Sequence, residues 1–164
     1  MQEAGLFTSR EMVEMAIQTE QNGYAFYSAA ARQAQSPEAA KLLNWLAGQE
    51  QEHEAVFRQM LTAADRHLPS EEYSGQYSAF VQALLESRLL PDKETGAQRL
   101  ATMTTDDELI DFAIGFEKDT ILFMHEMHDM AAPSASETLK RLLAEEKTHL
   151  ARLKTLRHSL QENG

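Results

Sequence analysis

Residues 36–57 read SPEAAKLLNWLAGQEQEHEAVF, and residues 134–153 read SASETLKRLLAEEKTHLARL. On a 3.6-residue period the first stretch gathers Leu43, Leu46, Ala47 and Phe57 on one face, and Glu50 and His53 interrupt that face. The second gathers Leu139, Leu142, Leu143, Leu150 and Leu153, and Glu146 and His149 interrupt it in the same way. In both, the acid precedes the imidazole by three positions, so the two side chains are neighbours on one helical face. Working outward, two more segments repeat the pattern with a single acid. Val13, Ala16, Ile17, Tyr24 and Tyr27 share a face with Glu20, and Ile110, Ala113, Ile114, Ile121 and Met124 share one with Glu117. Four amphipathic helices are expected, each with a glutamate midway along its apolar stripe.

Capping signals set their limits. The first helix starts at Thr8 or Ser9, with Thr8 and Glu11 spaced as a capping box, and runs to about Gln35. The second has Ser36 as cap and Pro37 in the first helical position, and runs to about Ala64. The third follows a Thr105/Glu108 box and stops near Ala132, and the fourth follows a Ser134/Glu137 box and runs to the Asn163-Gly164 end. Short links join helices one to two and three to four, which predicts two antiparallel hairpins. Between them lie residues 65–104, read as a crossover with short helices near 76–90 and 94–103, split by Pro91. The fold class is all-α. A four-helix bundle with one long crossover has ferritin-like connectivity, and an up-down bundle with a helical insertion is the alternative.

The whole chain of 164 residues is read as a single domain, large enough to bury a full core. Its 26 acidic against 15 basic residues give a net charge of −11, which argues against a nucleic-acid partner. No apolar run is long enough for a membrane span, and no cationic stretch precedes an apolar one at the N-terminus. A cytoplasmic location is expected. The absence of cysteine excludes disulfides, thiolate nucleophiles, iron–sulfur clusters and sulfur-ligated zinc. Any metal must be held by histidine and carboxylate.

The buried acids call for such a metal. An ionised carboxylate carried into a core costs several kcal/mol after relaxation, and on the order of 20 in the idealised limit. No lysine or arginine lies on these stripes near the acids. Two divalent cations would balance four carboxylates, and the imidazoles would complete their shells. A glutamate from each of two helices with Glu-x-x-His from the other two is a ligand set of di-iron and di-manganese bundles. The spacing supports it: Glu50 and His53 recur 96 positions later as Glu146 and His149, and Glu20 recurs 97 positions later as Glu117. Iron, manganese and zinc all suit such ligands. A metal-free helical interaction module is the reading from another class.

These residues resemble the rubrerythrin-type di-iron domain of the ferritin-like superfamily across essentially the whole chain. The motifs are Glu20 with Tyr27 seven residues on, Glu50-Gln-Glu-His53, Phe-Glu117-Lys-Asp and Glu146-Lys-Thr-His149. The resemblance implies two iron ions bound by Glu20, Glu50, His53, Glu117, Glu146 and His149, with Tyr27 hydrogen-bonded to the site. It implies an oxidoreductase that reduces hydrogen peroxide or reacts with dioxygen. Iron binding with ferroxidase chemistry, for storage or handling, is the alternative. Full-length rubrerythrins add a rubredoxin-like module with a cysteine-bound iron; without cysteine, this chain would need a separate, rubredoxin-like electron donor. The family usually carries another glutamate three positions after the helix-three ligand, where this chain has Thr120. That implies room for an exogenous bridge or water, and slow peroxide turnover.

Other residues carry less. His125 is weighed as an outer partner of the site, and His128 as part of a surface pair with it. His67 and His158 are placed in a loop and at a fraying end, Glu54 at a solvated edge, and Glu52 and Glu145 are expected to point away. A second apolar stripe, Met15 and Phe26 on helix one with Trp45 and Val56 on helix two, lies behind the ligand face. It predicts cover by the crossover or by a second subunit, and a homodimer is expected.

Overall fold

A computed structural model describes residues 9–67, 79, 83–84, 86, 93–129, 131 and 133–162. They form α1 (Ser9–Gln33), α2 (Pro37–His67), α3 (Lys93–Thr102), α4 (Asp106–Asp129) and α5 (Pro133–Glu162), with no strand among them. The expected helix near 76–90 and the Thr8 cap lie outside the described residues, except for isolated helical positions at 79 and 83–84.

The caps explain where the helices begin. Ser36 Oγ accepts the Ala39 N–H at 3.2 Å, as an N-cap does. Thr105 and Glu108 close a reciprocal box: Thr105 Oγ1 accepts the Glu108 N–H at 3.2 Å, and Glu108 Oε2 accepts the Thr105 N–H at 3.0 Å. Three ends differ from expectation. α2 continues to His67, so that residue is helical and not in a loop. α4 ends at Asp129, and the chain leaves it through a tighter turn in which the Ala131 N–H bonds the His128 carbonyl at 3.1 Å. α5 begins at Pro133, one residue before the expected Ser134 cap. Proline's fixed φ and missing N–H suit it to a first helical position.

α1 pairs with α2, and α4 with α5, as two hairpins. Their joining is read from the aromatic contacts. Phe26 meets Phe112 with ring centroids 4.7 Å apart, and the Tyr27 and Phe116 rings lie 6.1 Å apart edge to face. Rising residue numbers on α1 thus meet falling numbers on α4 for any further turn, because Gly23 also abuts Phe116. α1 and α4 are antiparallel, so α2 and α4 run the same way. The chain must travel the length of the bundle between them, which makes the crossover long and excludes the simple up-down alternative.

The core fills the space between the hairpins, with Tyr27, Phe57, Phe116 and Phe123 its largest members. Tyr24 departs from the expected stripe. It is 40% exposed, because its place on the wheel falls at the outer edge of the α1 face. Part of the second stripe is covered within the chain: Phe26 by Phe112, and Trp45 by the Arg152 guanidinium, 4.1 Å from the ring centroid. No described helix is long and apolar enough to cross a membrane.

One residue ties the α1–α2 corner to the start of α4. The Asp106 carboxylate accepts the Gln35 and Ser36 N–H groups at 2.7 and 2.8 Å. Partial burial opposes ionisation there, but these bonds outweigh it and hold the carboxyl below its usual range. Asp106→Ala is therefore expected to cost about 1–2 kcal/mol in urea unfolding at neutral pH. Asp106→Asn should cost less, since it keeps a neutral acceptor.

Candidate metal centre

All six expected ligands are buried and meet at one level of the bundle. Glu20, Glu50 and His53 are each 1% exposed, and Glu117, Glu146 and His149 are fully buried. One ligating atom from each of Glu50, His53, Glu146 and His149 lies within 4.8 Å of the other three. Glu146 sits between the imidazoles: its Oε1 is 2.7 Å from His53 Nδ1 and its Oε2 2.9 Å from His149 Nδ1. Glu20 Oε2 lies 3.8 Å from His53 Nδ1 on one side, and Glu117 Oε1 lies 3.8 Å from His149 Nδ1 on the other. Glu50 Oε1 is 3.9 Å from His149 Nδ1. The imidazoles stack, 5.2 Å between centroids and 14° between planes, and both turn Nδ1 inward.

The backbone makes room for this. A Cβ on Gly23 would overlap Glu50 Oε2 and come within 3.1 Å of Phe116 Cε1, so glycine one turn beyond Glu20 lets the Glu50 carboxylate lie close against α1. Tyr27 donates its hydroxyl to Glu117 Oε1 at 2.5 Å, the bond the resemblance implied. That leaves Glu117 Oε2 turned inward with no hydrogen-bond partner.

Many inward atoms share that state. Both Glu20 oxygens, Glu50 Oε1, Glu117 Oε2, Glu146 Oε1 and His53 Nδ1 are buried without a hydrogen-bond partner among the described residues. His53 Nδ1 and Glu146 Oε1 are 2.7 Å apart but not aligned to bond. A buried polar atom left unpaired costs about 1–3 kcal/mol. Hard divalent or trivalent cations taking oxygen and imidazole ligands fit this donor set.

The acid–base state points the same way. Burial, reinforced by the Glu146 charge, pushes Glu20 up to about 8. Burial also drives Glu50 and Glu117 well above the carboxylate range, with repulsion from Glu20 adding at Glu50 and from Glu146 at Glu117. Glu146 goes the other way: burial opposes its charge, but the hydrogen bond from His149 and the His53 imidazole beside it hold it well below the usual range. At His53, burial favours the neutral ring, yet the adjacent carboxylates, Glu146 foremost and then Glu20 and Glu145, prevail and raise it to about 9. Tyr27 is pushed well above 10 by burial and then by the Glu117 charge, so it stays a donor.

Two neighbours were not legible as part of the site. Glu145 was expected to point away, but its Oε2 lies 2.9 Å from His53 Nε2. A wheel turns it away from Glu146, whereas the packing of α5 on α2 carries it over the back of the opposite imidazole. Its only sequence signal is its place just before the Glu-x-x-His motif. Trp45 meets the His149 ring edge to face at 5.3 Å, and its signal was only a half-apolar position on α2. The lesser histidines are elsewhere: His125 is exposed, His128 bonds Ser136 Oγ at 3.1 Å, and His158 pairs with Glu162 at 3.4 Å. Glu54 sits at the border, accepting Gln21 Nε2 at 2.9 Å and paired with Arg58 at 2.7 Å. Glu52 is exposed, as expected.

With this geometry in place, the comparisons with known proteins decide the family. The rubrerythrin family model matches residues 11–157. The chain belongs to the rubrerythrin family. Among solved structures it is similar to a candidate ferritin-like diiron-carboxylate protein from Thermotoga maritima, with 26% identity and a TM-score of 0.75 over 93% of this chain and 96% of that one. No curated protein matches it. The fold is ferritin-like, and the buried glutamate–histidine cluster of this rubrerythrin is a possible di-metal site.

Two predictions follow from the cluster's charge. In the metal-free protein, Glu20 and His53 have folded-state values above their unfolded ones, near 4.5 and 6.5. Their stabilisation is complete below those unfolded values and lost as pH climbs through about 8 and about 9. Glu50 and Glu117 act in the same direction, while Glu146, being lowered, acts only at acid pH. Melting of the metal-free protein should fall steadily from pH 5 to pH 9. Separately, Glu145→Ala should weaken metal affinity by about 10–100-fold, the usual cost of removing an imidazole's outer partner. Glu52→Ala should leave affinity within twofold in the same titration.

Proposed function

We propose that this rubrerythrin holds two iron ions in the buried cluster and reduces hydrogen peroxide or dioxygen with electrons from a separate, rubredoxin-like donor protein. The observation that carries the reading is the convergence of four carboxylates and two imidazoles in a core with no buried lysine or arginine among the described residues. Manganese and zinc fit the same donors. A reduced iron pair, when bound, supplies the two electrons that the oxidant takes up.

The chain's residues do the rest. Glu20 with His53 and Glu117 with His149 would each serve one ion, and Glu50 and Glu146 stand between the two. Tyr27 fixes Glu117 by its hydroxyl and leaves the other carboxylate oxygen free to ligate. The protons held by Glu20, Glu50 and Glu117 leave as the ions enter, so binding tightens with rising pH. The aromatic packing of Phe116, Tyr27 and Phe26 keeps bulk water from the α1–α4 side. A homodimer belongs to this reading: Met15 and Val56 are half-buried, and Tyr24 and Leu122 are exposed large apolar side chains.

Anaerobic titration with Fe(II) tests the centre, read by the fluorescence of Trp45, the sole tryptophan, which lies against His149. The expected endpoint is two equivalents per chain, followed by oxidation on mixing with peroxide or dioxygen. Glu146→Ala, which removes the group touching both imidazoles, should abolish the endpoint. An endpoint of one or none in the unaltered protein overturns the proposal. Sedimentation at twice the chain mass is expected for the dimer.

A further inference from the structure

Among the described residues, the buried side chains with polar groups are the six cluster residues, Tyr27 and two threonines, Thr19 and Thr120. Each threonine is 1% exposed, and neither Oγ1 has a hydrogen-bond partner. Helical threonines have a ready remedy, since the hydroxyl can turn back to the carbonyl four residues earlier. Thr62, Thr148 and Thr155 do this, donating to Arg58, Ala144 and Ala151 at 3.1, 3.1 and 3.0 Å. Those three face solvent, where water could have served them. Thr19 and Thr120 need a partner most, and their hydroxyls are turned elsewhere.

The register places them at one level on facing helices. Phe26 meets Phe112, and one turn back on α1 Gly23 meets Phe116. One turn further back is Thr19, and one turn further along α4 is Thr120, so the antiparallel seam sets the two level. Thr19 adjoins Glu20 in sequence, and Thr120 lies one turn from Glu117, so both flank the cluster where those carboxylates enter. The hydroxyls do not bond each other. Each has a proton to give and lone pairs to fill, and together they call for a small partner that both donates and accepts.

We propose that Thr19 and Thr120 form a binding site for a small hydroxylic molecule, water at rest and hydrogen peroxide in turnover, beside the cluster at the α1–α4 seam. Hydrogen peroxide carries two donors and several lone pairs and can bridge the two hydroxyls. Dioxygen has no proton to donate and is a feeble acceptor, so the site favours peroxide between the two oxidants. This rests on the di-metal reading above.

The test uses Thr19→Val, Thr120→Val and the double variant, near-isosteric changes that delete only the hydroxyls, with Thr19→Ser and Thr120→Ser keeping them. Oxygen-17 relaxation dispersion of the metal-free protein counts long-lived internal waters. The double valine variant should lose one that the wild type and both serine variants keep. After loading with Fe(II), single-turnover oxidation by peroxide should fall about tenfold more in that variant than oxidation by dioxygen, the effect of one lost hydrogen bond to a bound ligand. An unchanged water count, or equal slowing with both oxidants, overturns the site. If the wild type fails to take up two metal ions, the di-metal reading falls, and the water count alone decides whether the hydroxyl site exists.

Discussion

The energetics of this bundle turn on four carboxylates that share one small volume away from water. Placing one there costs several kcal/mol; placing four without counter-charge would exceed the margin by which a domain of this size is stable. The fold tolerates them because the charges need not all be present together. With no cation, protons settle on Glu20, Glu50 and Glu117 while Glu146 stays ionised between two imidazoles. With cations, the same oxygens become ligands.

Much of the surrounding architecture follows from presenting those acids at one level. Two hairpins must each bring one glutamate and one Glu-x-x-His to the centre, and the antiparallel pairing of α1 with α4 aligns them. The long crossover is the topological consequence. Local chemistry then tunes the approach: Gly23 lets the Glu50 carboxylate come close to α1, and Tyr27 holds Glu117 by one oxygen. Either could be replaced in a bundle with an ordinary core. Here each meets a carboxylate of the cluster.

The sequence disclosed the four helices and their acids because both depend on a period along one chain. Acids interrupting apolar stripes are visible without knowing what faces them. So were the caps at Ser36 and Thr105, which are settled within four residues. What depended on packing between helices was hidden. Glu145 reads as a solvent-facing neighbour of Glu146 on any wheel, and only the approach of α2 sets it against His53. Tyr24 reads as part of the stripe, yet it falls beyond the reach of the partner helices. Trp45 reads as exposed apolar surface, while Arg152 and His149 enclose it from two directions. The crossover could be counted but not placed.

The near-repeat between the hairpins ends just outside the six cluster residues, and this gives the two halves different character. Glu145 backs His53 through Nε2, and a carboxylate in that place fixes the ring and strengthens it as a donor. The position before Glu50 holds Gln49 instead, and its amide donates to Glu52 at 3.2 Å and does not back His149. His149 Nε2 has no hydrogen-bond partner among the described residues, and its ring meets the edge of Trp45. On its outer side one imidazole is therefore backed by a carboxylate, and the other by the edge of an indole ring. Glu145 is itself partly open to solvent and lies 3.7 Å from Arg141, so the supported half is also the one in electrostatic contact with the surface. The two halves of the cluster are therefore inequivalent on their outer sides, with the carboxylate-backed imidazole on α2, although the six residues themselves are arranged almost symmetrically.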